Sequence, residues 1–261
     1  MYRILLGTLA GLGAYASLIF EVIWVSFRKP PHLNLVRNQM YLLGVTSLPV
    51  VAVAGMSMGM VLAAQAMFQL ASFGVRGATG LMVTKAMVVE VGPVVSAFMV
   101  TGRVGASMCA ELGTMAVTEQ VDALRSMCVN PARYLVAPRF IAGISMMPLL
   151  TLFSCVMGAG GGFVVAVYYY NMPANQYLEP VQLHIENFDL LMGLIKAFVF
   201  GFVITTICCY KGITTRGGAA GVGRSTTNSV VICYSFILLL NFVITVALNG
   251  AHNYLTTAFG L

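Results

Sequence analysis

Charge is scarce in this sequence. Only 8% of its 261 residues are Asp, Glu, Lys or Arg, against 59% hydrophobic residues. Soluble domains carry about a quarter charged residues, so the deficit places the chain in the membrane class. A CxxC pair is missing, and no histidine stands at metal-ligand spacing. Cys109, Cys128, Cys155, Cys208, Cys209 and Cys233 therefore read as small apolar residues rather than as disulfides or a metal site. No Ser/His/Asp or Cys/His set converges, so nothing supports catalysis by this chain, and it is read as not an enzyme. Basic runs and soluble modules are lacking too. That argues against a nucleic-acid partner and makes the formal charge of +6 a topological signal. Period-2 alternation is also absent, and long apolar runs with glycine favour helices over a β-barrel.

What is present is a series of long apolar stretches, at residues 41–73, 78–102, 140–170, 190–210 and 227–254. Each exceeds the ~20 residues a span requires, so tilt, kinks or re-entrance are expected. Ahead of them, Met1-Tyr2-Arg3 and the apolar residues 4–20 imitate a secretory signal, with Ala14-Tyr15-Ala16 as a mock cleavage site. Glu21, Trp24, Arg28 and Lys29 follow at once and favour a helix lying at the cytoplasmic interface instead. The expected architecture is all-α and polytopic. It has an N-terminal interfacial helix and lead-in (1–40) and five transmembrane helices, in a single domain over 1–261. A cytoplasmic segment at 103–139 carries an amphipathic coupling helix.

The basic residues set the orientation. Arg3, Arg28, Lys29 and Arg37 precede the first span. Arg103, Arg125, Arg133 and Arg139 lie between the second and third, and Lys211, Arg216 and Arg224 between the fourth and fifth. The segment between the third and fourth spans holds Glu179, Glu186 and Asp189 and no Lys or Arg. The N-terminus is therefore expected in the cytoplasm and, after five spans, the C-terminus outside.

Two glycine motifs are decoys. Gly218 to Ser225 nearly matches a phosphate-binding loop, but Arg224 stands where Lys belongs and a span precedes it instead of a strand. It reads as a flexible cytoplasmic turn. Gly11-Leu12-Gly13 resembles a dinucleotide fingerprint without the surrounding βαβ unit, so its glycines read as allowing close helix contact. Gly55/Gly59 and Gly158/Gly162 fit the same small-xxx-small role.

Residues 103–139 are too polar to cross a membrane. Within them 111–127 reads as one amphipathic helix, with Leu112, Met115, Val121, Leu124 and Met127 as apolar positions and Asn130-Pro131 ending it. A bilayer-binding helix carries Lys and Arg on its polar face. This one carries Glu111, Glu119 and Asp122 against Arg125 alone, which favours docking on a protein partner.

Several linked motifs then stand in fixed order: Glu90-Val91-Gly92-Pro93, Thr101-Gly102-Arg103-Val104-Gly105-Ala106, Ala110-Glu111-Leu112-Gly113-Thr114-Met115, Val117-Thr118-Glu119-Gln120-Val121-Asp122-Ala123-Leu124, and Asn130-Pro131-Ala132-Arg133-Tyr134-Leu135. Together they resemble the MlaE/YrbE family, permease subunits of ABC transporters that move phospholipids with MCE-domain partners. The resemblance implies a homodimer that moves phospholipid between the inner membrane and MCE-domain subunits on the outer face. It implies a cytoplasmic ATPase dimer that holds the ATP and Mg, this chain binding no cofactor itself, and in some systems a STAS-type regulator. A bacterial inner membrane is expected; a chloroplast envelope would need a transit peptide. Val89 and Ala116 stand where relatives often carry basic residues. A gradient-driven secondary transporter and a non-transporting scaffold remain as alternatives. The first calls for inverted repeats, and no second copy of Glu90 to Pro93 is seen.

Glu90 falls near the middle of the second span, where a carboxylate is costly and a functional candidate by default. Gly92 and Pro93 follow it, and Pro93 removes a backbone donor. With Leu62 and Phe73 on the first span they form the expected lipid cavity. Lys85 and Lys196 are expected to snorkel to headgroups rather than pair with Glu90. Glu111, Thr118, Glu119, Asp122 and Ala123 are the expected coupling set. Arg103 and Gly105 are the expected structural pair at the cytoplasmic turn, Arg103 either holding carbonyls or Glu111 or simply marking the inner interface.

Overall fold

The computed structural model describes residues 2–28, 31–72 and 74–259. Among these, every regular element is helical. They are α1 (Tyr2–Arg28), α2 (Leu33–Leu43), α3 (Leu48–Ser72), α4 (Arg76–Val117), α5 (Gln120–Ser126), α6 (Ala132–Tyr169), α7 (Ala174–His184), α8 (Asn187–Ile213) and α9 (Gly218–Phe259). Five helical segments are long and apolar enough to cross a membrane: Leu33–Ser72, which joins α2 to α3, then α4, α6, α8 and Gly218–His252 within α9. The polytopic all-α architecture is thus the one the apolar runs imply.

Prolines follow three of the irregular turns. Pro49 has no N–H for the carbonyl four residues back, and the chain passes through a 3-10 turn, Val45–Ser47, on its way into α3. Pro93 and Pro138 each follow, by two residues, the end of a π-helical turn, Met87–Val91 in α4 and Ala132–Val136 in α6. A proline ring clashes with the carbonyl of residue i−4, and a widened turn relieves that clash.

The chain clusters into two compact units. The first comprises the described residues of Met1–Val45, Thr101–Met146 and Phe202–Cys233. Its core packs Val22 of α1 with Leu112, Val121, Ala132, Val136, Phe140 and Cys209. Helix α1 is further tied down by hydrogen bonds between the hydroxyls of Tyr15 and Thr206 and from Tyr210 Oη to the Gly11 carbonyl. The close-contact role expected at Gly11 and Gly13 is not realised, because both face open space. The motif at Gly218 is no flexible turn either. After Gly217 and Gly218, both at positive φ, it forms the opening turns of α9.

The second unit comprises the described residues of Thr46–Val100, Met147–Gly201 and Tyr234–Leu261. Here α3 and α6 cross at their glycines. A Cβ on Gly59 would collide with the Gly158 backbone, and one on Gly55 would lie 2.8 Å from the Ser154 carbonyl. Apolar side chains gain little by leaving lipid for each other, so close backbone approach is a main source of helix association. Gly59→Val is therefore expected to separate α3 from α6 at a cost of about 2 kcal/mol or more, by analogy with overpacked cores. Thermal unfolding in detergent checks this; a melting temperature equal to that of the parent protein would contradict it.

Candidate functional site

The membrane-embedded carboxylate belongs to the second unit. Pro93 lacks the N–H that an α-helix would send to Val89, and Gly92 donates instead to Met87 across the wider π turn. The Val89 carbonyl is taken by Lys196 Nζ of α8 at 2.9 Å. The same ammonium sits 2.7 Å from Glu90 Oε1. Lys196 is fully buried, at 0% exposure, whereas the Glu90 side chain is 36% exposed. Helix α9 completes the set: Asn241 Nδ2 donates to Glu90 Oε2 at 2.9 Å and Thr245 Oγ1 to Oε1 at 2.8 Å. One carboxylate thus draws together three spans.

Glycines make the approach possible. A Cβ on Gly193, one turn before Lys196, would strike the Val88 carbonyl, and one on Gly92 would strike Cys155 Sγ. Gly92 and Pro93 are accordingly buried in contact with neighbouring helices. Leu62 is half-buried and packs on Ala63, Ala66, Val83 and Met87, at the π turn that carries Glu90. Phe73 lies outside the described residues.

The lysines depart from the snorkelling expectation. Lys196 points inward to Glu90, because α8 turns the face marked by Gly193 toward α4. Lys85 is half-exposed, but its ammonium is 3.2 Å from Asp189, which is buried at the start of α8. The positive partner that Val89 does not supply comes from Lys196. Asn241 and Thr245 were not singled out from sequence, although two polar residues four apart in an otherwise apolar stretch share one helix face and were a readable signal.

The acidic segment belongs to the first unit. Helix α4 continues to Val117 and α6 begins at Ala132, so only residues 118–131 lie outside the long helices. The single helix expected over 111–127 is broken in two. Thr118 ends α4, and Glu119 adopts a left-handed conformation, φ 60°, before α5 begins. Burial of Leu112 on one side and Val121 on the other anchors both ends of the break. Met127 is 64% exposed and takes no part in the apolar face.

Asn130-Pro131 does not end α5 either. That end is a Schellman closure around Cys128 (φ 58°), with N–H bonds from Cys128 to the Arg125 carbonyl and from Val129 to the Leu124 carbonyl. Asn130 opens the next helix instead. Its Oδ1 accepts from the N–H of Ala132 at 2.8 Å, and Pro131 occupies a first-turn position where no donor is needed.

Thr118, Glu119, Asp122 and Ala123 are all exposed on this short turn and helix. Asp122 is paired with Arg125 at 2.9 Å along one face. Glu111 stands apart from them. It is held by Arg139 at 3.0 Å, a buried guanidinium that also donates to the Leu135 carbonyl. Arg139 is thus the ion-pair partner of Glu111, and Ser107 Oγ donates to its other oxygen at 3.1 Å. Arg103 and Gly105 lie in a π-helical turn, Thr101–Gly105, inside continuous α4 rather than in a turn between elements. Gly105 is buried, and a Cβ there would meet Cys208 Sγ at 3.0 Å. Beside α5 runs an open groove of about 530 Å³, lined by Ala116, Glu119, Val121, Asp122, Thr214 and Arg216 among others.

The same device occurs once in each unit. A proline-widened turn frees or strains a carbonyl, a buried cation takes a carbonyl in that turn, and the cation pairs with a carboxylate. Lys196, Val89 and Glu90 form one instance, and Arg139, Leu135 and Glu111 the other.

Comparison with known proteins adds the decisive observation. The model of the family described as Permease MlaE matches residues 36–247. The chain belongs to the MlaE permease family. Its relatives agree along nearly the whole length. A probable ABC transporter permease protein of Rickettsia typhi is 42% identical over 234 residues, 90% of each chain. The intermembrane phospholipid transport system permease protein MlaE of Haemophilus influenzae is 34% identical over 241 residues, 92% of each chain. In this MlaE family member the matched region includes both the Glu90 cluster and the acidic α5 segment.

Proposed function

We propose that this permease forms the lipid path of an ATP-driven phospholipid transporter, working as a homodimer in the bacterial inner membrane. The N-terminus is cytoplasmic and the C-terminus periplasmic. Residues 118–126 dock a cytoplasmic ABC ATPase dimer, which binds the ATP and Mg. MCE-domain subunits receive or deliver lipid on the outer face, and a STAS-type regulator acts on the ATPase in systems that have one. ATP-driven closure of the ATPase moves α5, and the spans expose the cavity alternately to its two sides.

The observation that carries this reading is Glu90, a carboxylate one-third exposed within a span and held by polar groups of two other spans. A charged group at such depth is retained for function in most membrane proteins. The name of the Haemophilus relative supports phospholipid as the substrate. The net negative face of α5 supports protein docking over adsorption to anionic lipid.

The test is photo-cross-linking with a phospholipid analogue bearing a diazirine in its acyl chain, applied to the complex purified in detergent. Labelled peptides are expected from the segments around Leu62 and Glu90, together with a co-purifying ATPase. Labelling confined to the exposed outer face of α9 would contradict a lipid path through this site.

A further inference from the structure

Helix α1 has a partner that its membrane-surface character does not require. Glu21 Oε1 accepts a hydrogen bond of 2.7 Å from Asn130 Nδ2, across 109 residues of chain. Asn130 is the same residue whose Oδ1 caps the first turn of α6. One amide therefore works in two directions, its oxygen on the α6 backbone and its nitrogen on α1. Beside this contact, Val22 is buried against Val121 of α5 and against Ala132, Leu135 and Val136 of α6. Leu18 and Glu21 line one wall of a cleft of about 370 Å³, and Arg125, Cys128 and Asn130 line another. The middle of α1 is fixed to α8 through Tyr15 and Tyr210.

We infer that α1 is a strap for the docking segment, and that Glu21 and Asn130 are positioning residues that transmit movement of α5 into α6. The inference rests on the proposed docking of an ATPase at α5. A force on α5 reaches α6 through residues 127–131, which include left-handed Cys128 and would yield if unsupported. The Asn130 amide closes that gap by binding the α6 start to a helix that α5 also packs on. The Glu21–Asn130 contact lies at the surface, so breaking it leaves the buried Val22 cluster to maintain the fold.

The test separates strap from scaffold. Glu21→Ala removes the acceptor, whereas Glu21→Gln keeps one. Asn130→Ser keeps a good cap for α6 but removes the donor to α1. In the purified permease, amide hydrogen exchange across residues 120–133 is expected to accelerate about threefold or more in Glu21→Ala and Asn130→Ser, the scale of losing one modest hydrogen bond. In Glu21→Gln it is expected to match the parent protein. In the complete complex, phospholipid moved per ATP hydrolysed is expected to fall in the first two variants with ATPase retention unchanged, and the double variant to be no worse than either single one. Unchanged exchange in Glu21→Ala overturns the strap, whatever the partner does. Faster exchange with unchanged lipid per ATP overturns its role in coupling. A permease that retains no ATPase overturns the docking reading beneath it, and the exchange data then still decide the strap.

Discussion

Glu90→Ala is expected to destabilise the second unit by about 3 kcal/mol, because it strands a fully buried ammonium. In the variant, Lys196 keeps only the Val89 carbonyl, and Asn241 Nδ2 and Thr245 Oγ1 lose the acceptors they share with it. Lys196→Met is expected to cost less, about 1–2 kcal/mol, since Glu90 is partly exposed and keeps two neutral donors. Removing both charges together, in Glu90→Gln/Lys196→Met, is expected to recover much of the Glu90→Ala loss, because the penalty lies in the unpaired charge rather than in the missing pair. Thermal unfolding in detergent of the parent protein, Glu90→Gln, Lys196→Met and their double variant gives the cycle. Strictly additive effects would mean that the 2.7 Å pair carries no coupling. Transport separates function from stability. The doubly neutral variant is expected to fold yet move lipid at least tenfold more slowly than the parent protein, on the premise that the embedded charge is retained for transport rather than for folding.

The second large effect is expected on the acidic turn. Glu119→Lys/Asp122→Lys reverses both exposed carboxylates and is expected to abolish retention of the ATPase while leaving the permease folded. Both side chains are solvent-exposed and neither contributes to the core, so surface substitutions there should change stability by no more than about 0.5 kcal/mol. Glu119 sits at positive φ, where Asn is better tolerated than other non-glycine residues. Glu119→Asn therefore isolates the charge from the backbone and is expected to weaken docking without unfolding the turn. Co-purification followed by a stability scan distinguishes the two causes of loss. Reduced ATPase recovery together with a lowered melting temperature would point to misfolding instead of a lost dock.

Much of this molecule is legible in its sequence, and the remainder is hidden for identifiable reasons. Span number follows from apolar run length, and the Gly55/Gly59 and Gly158/Gly162 pairs mark a helix crossing that does form. The cost of charge in a span makes Glu90 stand out. Its partners are less visible, because periodicity does not say which face of an apolar helix turns inward. Lys196 looks the same in sequence whether it snorkels or is enclosed. Gly193 three residues earlier and the carbonyl freed by Pro93 are the clues that it is enclosed. The break at Thr118 and Glu119 leaves no glycine or proline behind. A non-glycine residue held left-handed costs ~1–3 kcal/mol, and it persists because Leu112 and Val121 are buried on either side of it. Asn130-Pro131 illustrates a different ambiguity: the same pair that can stop one helix can also start another. The pairing of Glu111 with Arg139 spans 28 residues and two helices, a distance over which local spacing carries no information.

The most direct measurement of the central claim is ATP-dependent phospholipid transfer by the complete complex in proteoliposomes, with the parent permease compared with Glu119→Lys/Asp122→Lys. The account predicts transfer that requires ATP in the first case, and in the second neither transfer nor ATPase retention. Transfer that persists in the double variant, or that proceeds equally well without ATP, would contradict it.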